Sequence, residues 1–244
     1  ISSVELAGVK AQVLTESQSQ IVVRAGFAQP SQGTVKLTSK SESTHTSVQN
    51  WTYNQQGDIH SINPTRGRAG DVVTISGSHL RSGSISKVTL GSETCTIISS
   101  SDTLVTVKVT GTIVGSVDLT IISEDQSRVT RVRAYDYLEA ATVKAIHPNS
   151  GQFRTTVTIQ GMGLLGGAKT LSRVILSSVL SEIISSNDTM VVVAAGNGSD
   201  VVGVLGSLTM KADTGSEVTV AKAFTYTTPS TISSVTPAEG QLGT

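Results

Sequence analysis

Short runs of alternating apolar and polar residues, broken by Gly, Ser, Asn or Asp, fill nearly the whole 244-residue chain. Gly33-Thr-Val35-Lys-Leu37, Gly115-Ser-Val117-Asp-Leu119 and Gly206-Ser-Leu208-Thr-Met210 each put every second side chain on one face. That is the signature of a strand half covered by a core. Val13-Leu14-Thr15, Ile97-Ile98-Ser99 and Ile183-Ile184-Ser185 each lead through a polar turn into another apolar strand, at Ile21–Val23, Leu104–Val109 and Met190–Val193. No stretch sustains a helical period, so the pattern predicts an all-β chain of short antiparallel strands.

The strands recur as a unit. Ile59-His-Ser-Ile62-Asn-Pro64-Thr-Arg-Gly67, Val143-Lys-Ala-Ile146-His-Pro148-Asn-Ser-Gly151 and Ile232-Ser-Ser-Val235-Thr-Pro237-Ala-Glu-Gly240 share the form apolar-x-x-apolar-x-Pro-x-x-Gly. The first two continue into Val73-Thr-Ile75-Ser-Gly77 and Val157-Thr-Ile159-Gln-Gly161. Six of the eight aromatic residues form three pairs at strand spacing: Trp51 with Tyr53, Tyr135 with Tyr137, and Phe224 with Tyr226. The second aromatic of each pair precedes the next motif's Ile or Val by nine residues, and the period is 84 residues, then 89. About seven short strands in under 90 residues predict an aligned β-sandwich. Both rings of each pair are expected to face the core. Each motif proline is expected at a strand entrance, where its missing N–H costs least.

The start motif, the Val-Thr-Ile-x-Gly strand and the closing aromatic-x-Tyr together resemble the IPT/TIG family of immunoglobulin-like domains, an E-set type sandwich. The resemblance extends over essentially the whole chain. It implies tandem sandwiches arranged end to end: a repeat at 1–53 lacking its first strands, full repeats at 54–139 and 140–228, and the start of a further one at 229–244. Leu80 and Leu164 stand where many members of that family carry Phe. The resemblance implies contexts as different as receptor ectodomains, Rel-type transcription factors, accessory modules of starch-degrading enzymes and large surface proteins, and a fold does not choose among them.

Composition narrows the choice. Hydrophobic residues make up 37% and charged residues 15%, and 18 basic residues balance 18 acidic ones. A nucleic-acid binder concentrates basic charge to meet phosphates; the densest basic stretch here, Arg128, Arg131 and Arg133, alternates with apolar residues as a strand face would. No apolar run reaches membrane-spanning length. The lone Cys95, in a β-rich run, reads as a buried thiol. Gly161-Met-Gly163-Leu-Leu-Gly166 matches a dinucleotide fingerprint literally, but no helix follows it, so the glycines read as a turn. His45, His60, His79 and His147 form no pair at metal-ligand spacing. No catalytic, cofactor or metal residues are assigned, and the chain is read as a non-enzyme. Asn50-Trp-Thr52, Asn187-Asp-Thr189 and Asn197-Gly-Ser199 are N-glycosylation acceptor patterns.

The expected function is a structural or adhesive segment of a long extracellular or cell-surface tandem-repeat protein, a filament or fibre component included. Its partners are neighbouring repeats or copies, with covalent glycans on Asn50, Asn187 or Asn197. The alternative is a ligand-binding receptor ectodomain segment; an accessory glycan module and a transcription-factor domain rank behind it. Both ends read as cuts in a longer array. Ile1 aligns with Ile85 and Thr244 with Asp71, and a slice of a continuous chain is favoured over completion by strand donation between chains.

Overall fold

The computed structural model describes residues 1–241. Residues 242–244, including the expected counterpart of Asp71 at Thr244, lie outside the described residues. The first repeat contains β1 (Ser3–Leu6), β2 (Val9–Glu16), β3 (Ile21–Arg24), β4 (Ser31–Thr38) and β5 (Thr44–Tyr53). The second contains β6 (Asp58–Asn63), β7 (Arg66–Gly67), β8 (Val72–Ser78), β9 (Ile85–Leu90), β10 (Glu93–Thr94), β11 (Thr96–Ser100), β12 (Leu104–Lys108), β13 (Gly115–Ser123) and β14 (Arg128–Tyr137). The third contains β15 (Thr142–His147), β16 (Ser150–Gly151), β17 (Thr156–Met162), β18 (Leu171–Leu176), β19 (Val179–Ser186), β20 (Met190–Ala194), β21 (Leu205–Ala212) and β22 (Glu217–Tyr226). Among the described residues the one helical element is a 3₁₀ turn at Ser199–Val201.

Each full repeat is an immunoglobulin-like sandwich. In the second, the sheet β10-β9-β13-β14-β7 packs on β11-β12-β8-β6. The third has the same order, but β19 runs unbroken through both sheets and joins them into one eight-stranded path. The alternation in Val73-Thr-Ile75 follows from this packing. Val73 and Ile75 face Val107 and Val105 across the β8–β12 ladder, and all four are fully buried. Thr74 points to the other face. β-branched residues suit such positions because their side chains pack on a pleated surface.

The apolar doublets mark bulges. The β2–β3, β11–β12 and β19–β20 ladders all shift register at the same place, between Val13 and Thr15, Ile97 and Ser99, and Ile183 and Ser185. Leu14, Ile98 and Ile184 are the extra residues, and all three are exposed. One residue too many on one strand turns the next side chain outward and bends the strand. The chain passes from one sheet to the other just before each bulge, at Ala11–Gln12, at Cys95 and at Ser181–Glu182.

The two repeat markers meet in space. β7 lies parallel to the end of β14, pairing Arg66 with Asp136 and Gly67 with Tyr137. β16 does the same to β22, pairing Gly151 with Tyr226. The Pro-x-x-Gly motif thus clasps the closing aromatic pair of its own repeat. Glycine is needed there: a Cβ on Gly67 would lie 2.6 Å from the Tyr135 hydroxyl. These two-residue clasps raise the strand count above the seven expected.

Two expectations need correction. Pro64 and Pro148 follow the last residues of β6 and β15, at strand exits rather than entrances, and their peptide bonds are cis. Trp51 does not face a core: it is 38% exposed, whereas its equivalents Tyr135 and Phe224 are fully buried. The cause is the missing clasp, because among the described residues no strand lies beside β5 where β7 and β16 lie beside β14 and β22. Tyr53 is half-buried and meets Trp51 edge-on at 5.8 Å, as Tyr135 and Tyr137 meet at 5.2 Å. In the segment after Tyr226, Ile232 and Val235 are 85% and 67% exposed and Pro237 and Gly240 lie outside any strand.

Candidate functional site

The second and third repeats are joined by a built junction. Asp71, in the loop between β7 and β8, has no solvent exposure. Its carboxylate accepts hydrogen bonds from the Arg68 backbone N–H at 2.7 Å and, across the junction, from Thr214 Oγ1 at 2.5 Å and the Ser216 N–H at 3.0 Å. The backbone closes the same seam, the Val72 N–H donating to the Thr214 carbonyl at 2.7 Å. A buried charge is tolerated when its lone pairs are satisfied in this way.

Arg68 crosses in the same direction. Its Nη2 donates to the carbonyl of Gly163. Burial pulls the guanidinium below its ordinary range, while Asp71 and Asp188 oppose that shift. Gly163, Gly166 and Gly167 all adopt positive φ, and a Cβ on Gly166 would stand 3.3 Å from Arg68 Cζ. Of the fingerprint-like glycines, Gly163 and Gly166 lie in the turn that seats Arg68, whereas Gly161, expected in that turn, is still within β17. On the third repeat, Gln152 occupies the place of Arg68. Its side chain holds the following segment, donating to the Thr228 carbonyl at 3.0 Å and accepting from the Ser230 N–H at 3.2 Å.

The junction of the first and second repeats is different. Among the described residues the connecting segment is held by a bond from Asn54 Nδ2 to Ser82 Oγ at 2.9 Å, within the second repeat. An open cleft of about 630 Å³ remains, lined by Trp51, Tyr53, His79, Arg81, Ser127 and Arg128 among others.

Of the remaining candidates, Asn50, Asn187 and Asn197 are all exposed. Asn50 lies on β5, while Asn187 caps a turn by accepting from the Thr189 and Met190 N–H groups at 2.9 and 2.8 Å. Cys95 is buried, and burial pushes its thiol up to about 11, which keeps it protonated and unreactive near neutral pH. His60 and His79 approach Asp58 and Asp102 at 3.5 and 3.6 Å. No group of three or more His, Cys, Asp or Glu that could hold a metal occurs among the described residues. No helix among the described residues is long and apolar enough to cross a membrane.

Tandem sandwiches with clasped openings and an interlocked junction define a class of immunoglobulin-like repeat proteins. The IPT/TIG domain profile matches residues 58–133 and 141–226, and the chain belongs to that family. No curated protein matches the sequence. Among solved structures, the chain is similar to the plexin A4 extracellular region, with 23% identity, a TM-score of 0.47, and coverage of 80% of this chain and 18% of plexin A4. It is also similar to the surface glycan-binding protein SGBP-B of Bacteroides ovatus, with 15% identity, a TM-score of 0.32, and coverage of 92% and 60%. A third is the gamma-CGTase of an alkalophilic Bacillus clarkii, with 10% identity, a TM-score of 0.33, and coverage of 76% and 29%. The chain thus spans less than two thirds of each of these proteins.

Proposed function

We propose that the chain is a structural or adhesive segment of an extracellular or cell-surface tandem-repeat protein, in which successive TIG sandwiches stack into a stiff rod. The observation that carries this reading is the junction at Asp71 and Arg68. Loosely linked domains leave their connecting loops solvated and move relative to one another. Here a fully buried carboxylate of one repeat takes two of its three hydrogen bonds from donors of the next, which resists bending because a hinge motion would cost it both. The reading includes no catalytic step. Its binding partners are neighbouring repeats or copies, and the exposed Asn50, Asn187 and Asn197 are its sites for covalent glycans.

The test is antibody labelling of the source cells before and after permeabilisation, with an antibody raised against this chain. Labelling of intact cells, along extended surface or extracellular material, is the expected result. Labelling that needs permeabilisation would overturn the extracellular assignment.

A further inference from the structure

The two full sandwiches share an outer face of unusual chemistry. It belongs to the strands β11-β12-β8-β6 on the second repeat and β15-β17-β20-β19 on the third. The central strands β8, β12, β17 and β20 turn their Val and Ile residues into the core, so their alternate residues look outward. Lys108, at one end, is the one charged residue among those outward positions. Leu104 stands beside Ser76 and Met190 beside Gln160, in the same register on both repeats. They are 47% and 39% exposed, and the bulge residues Ile98 and Ile184 on the next strand are 55% and 56% exposed. Both Ile98 to Ile184 and Leu104 to Met190 are steps of 86 residues. Met162 widens the apolar area on the third repeat.

Charge lies around this face and behind it. The flanking strands expose His60, Lys144 and Glu182, and the opposite sheets expose Asp118, Arg128 and Arg173. A charge-depleted centre with a charged rim is the composition of a protein–protein interface. A neutral face also meets its own copy without like-charge repulsion, whereas a charged one calls for an opposite partner. Size argues for the same partner. At about 4.8 Å between strands and about 3.3 Å per residue, a four-stranded face five residues long covers roughly 300 Å². A stable interface needs about 800 Å² from each side. One face is therefore too small to hold a partner, and faces on successive repeats have to engage together. The junction at Asp71 and Arg68 fixes the angle between them. A partner that meets both must carry two such faces at the matching spacing and angle, as a second copy of this chain does.

We propose that these faces are the lateral contact through which one copy of the chain binds another, with Ile98 and Leu104 on the second repeat and Ile184 and Met190 on the third at the centres of the contact. The copies meet face to face. Pairing edge to edge is disfavoured, because the bulges at Ile98 and Ile184 break the flat row of N–H and C=O groups that strand addition needs. Apolar burial drives the contact, and the surrounding Ser, Thr and Gln side chains supply hydrogen bonds at its margin. Such pairing rests on the reading of the chain as a stiff rod that associates with its own copies, and it adds which surface does so.

Sedimentation equilibrium of the full chain over a wide concentration range tests this. Expression in bacteria leaves Asn187, three residues before Met190, without sugar, so the face is bare. The expected result is a reversible dimer. Leu104→Lys combined with Met190→Lys places like charges at both contact centres and should raise the dissociation constant by about tenfold or more. Leu104→Thr with Met190→Thr removes apolar surface without adding charge, suits a strand, and should weaken the dimer by a smaller factor; it decides the matter if the lysine pair fails to fold. Val132→Lys, at a 69% exposed position on the opposite sheet, should leave the dimer unchanged. A chain that stays monomeric throughout overturns the proposal. So does association that both paired variants retain, or an equal loss with Val132→Lys, since either outcome assigns the contact to another surface. A monomer would leave the extracellular location, tested by labelling intact cells, untouched.

Discussion

Asp71→Ala is expected to destabilise the second and third repeats by about 3–5 kcal/mol, the range for breaking a buried charged network by removing one partner. Three donors lose their acceptor together: the Arg68 and Ser216 N–H groups and the Thr214 hydroxyl. Each buried donor left unpaired costs about 1–3 kcal/mol. Arg68 also loses the nearby charge that offsets its burial. Asp71→Asn keeps the volume and one acceptor oxygen, so it should recover part of the loss. Urea unfolding of the full chain measures both variants. A cost under about 0.5 kcal/mol, the size of an ordinary surface change, would mean that the junction contributes little to holding the repeats together.

Tyr137→Ala carries the other large effect, again about 3–5 kcal/mol, the usual cost of truncating a buried large aromatic. The ring is 2% exposed and packs edge-on against Tyr135. Its hydroxyl donates to the Thr110 carbonyl at 2.7 Å. Tyr137→Phe isolates that bond and should cost about 1 kcal/mol. The informative contrast is Trp51→Ala. Trp51 stands two residues before Tyr53 on β5 and has the larger side chain, yet it lacks the clasp that covers Tyr135, so its loss should cost under about 1 kcal/mol. Equal costs for Trp51→Ala and Tyr137→Ala in the same unfolding assay would contradict the account of the clasp.

The family and the sandwich class were legible because strand alternation and repeated markers are local signals. Val73-Thr-Ile75 names its inward residues by period alone. The doublets were also visible, but the register shift that turns Leu14, Ile98 and Ile184 outward depends on the partner strand, which sequence spacing does not reveal. The clasp was hidden for a similar reason. Gly67 and Tyr137 lie 70 residues apart in the sequence, and nothing local says that they pair in parallel. The exposure of Trp51 follows from the absence of a clasp strand beside β5 among the described residues, which the aromatic pattern alone does not reveal.

The junction left the weakest trace. Asp71 has no acidic counterpart in the next repeat, where Thr155 takes its place and its hydroxyl accepts from the Gln152 N–H at 2.8 Å. A residue that does not repeat is invisible to an argument built on repetition. The fingerprint-like glycines were assigned to a turn, but their partner Arg68 lies 95 residues away from Gly163.

Rotational diffusion of the second and third repeats, measured by backbone ¹⁵N relaxation on the full chain, tests most directly whether consecutive sandwiches form a stiff rod. The account predicts one shared anisotropic diffusion tensor for residues 58–137 and 142–226, with its long axis running through both repeats. Two separate tensors, each with the tumbling time of a single sandwich, would contradict it.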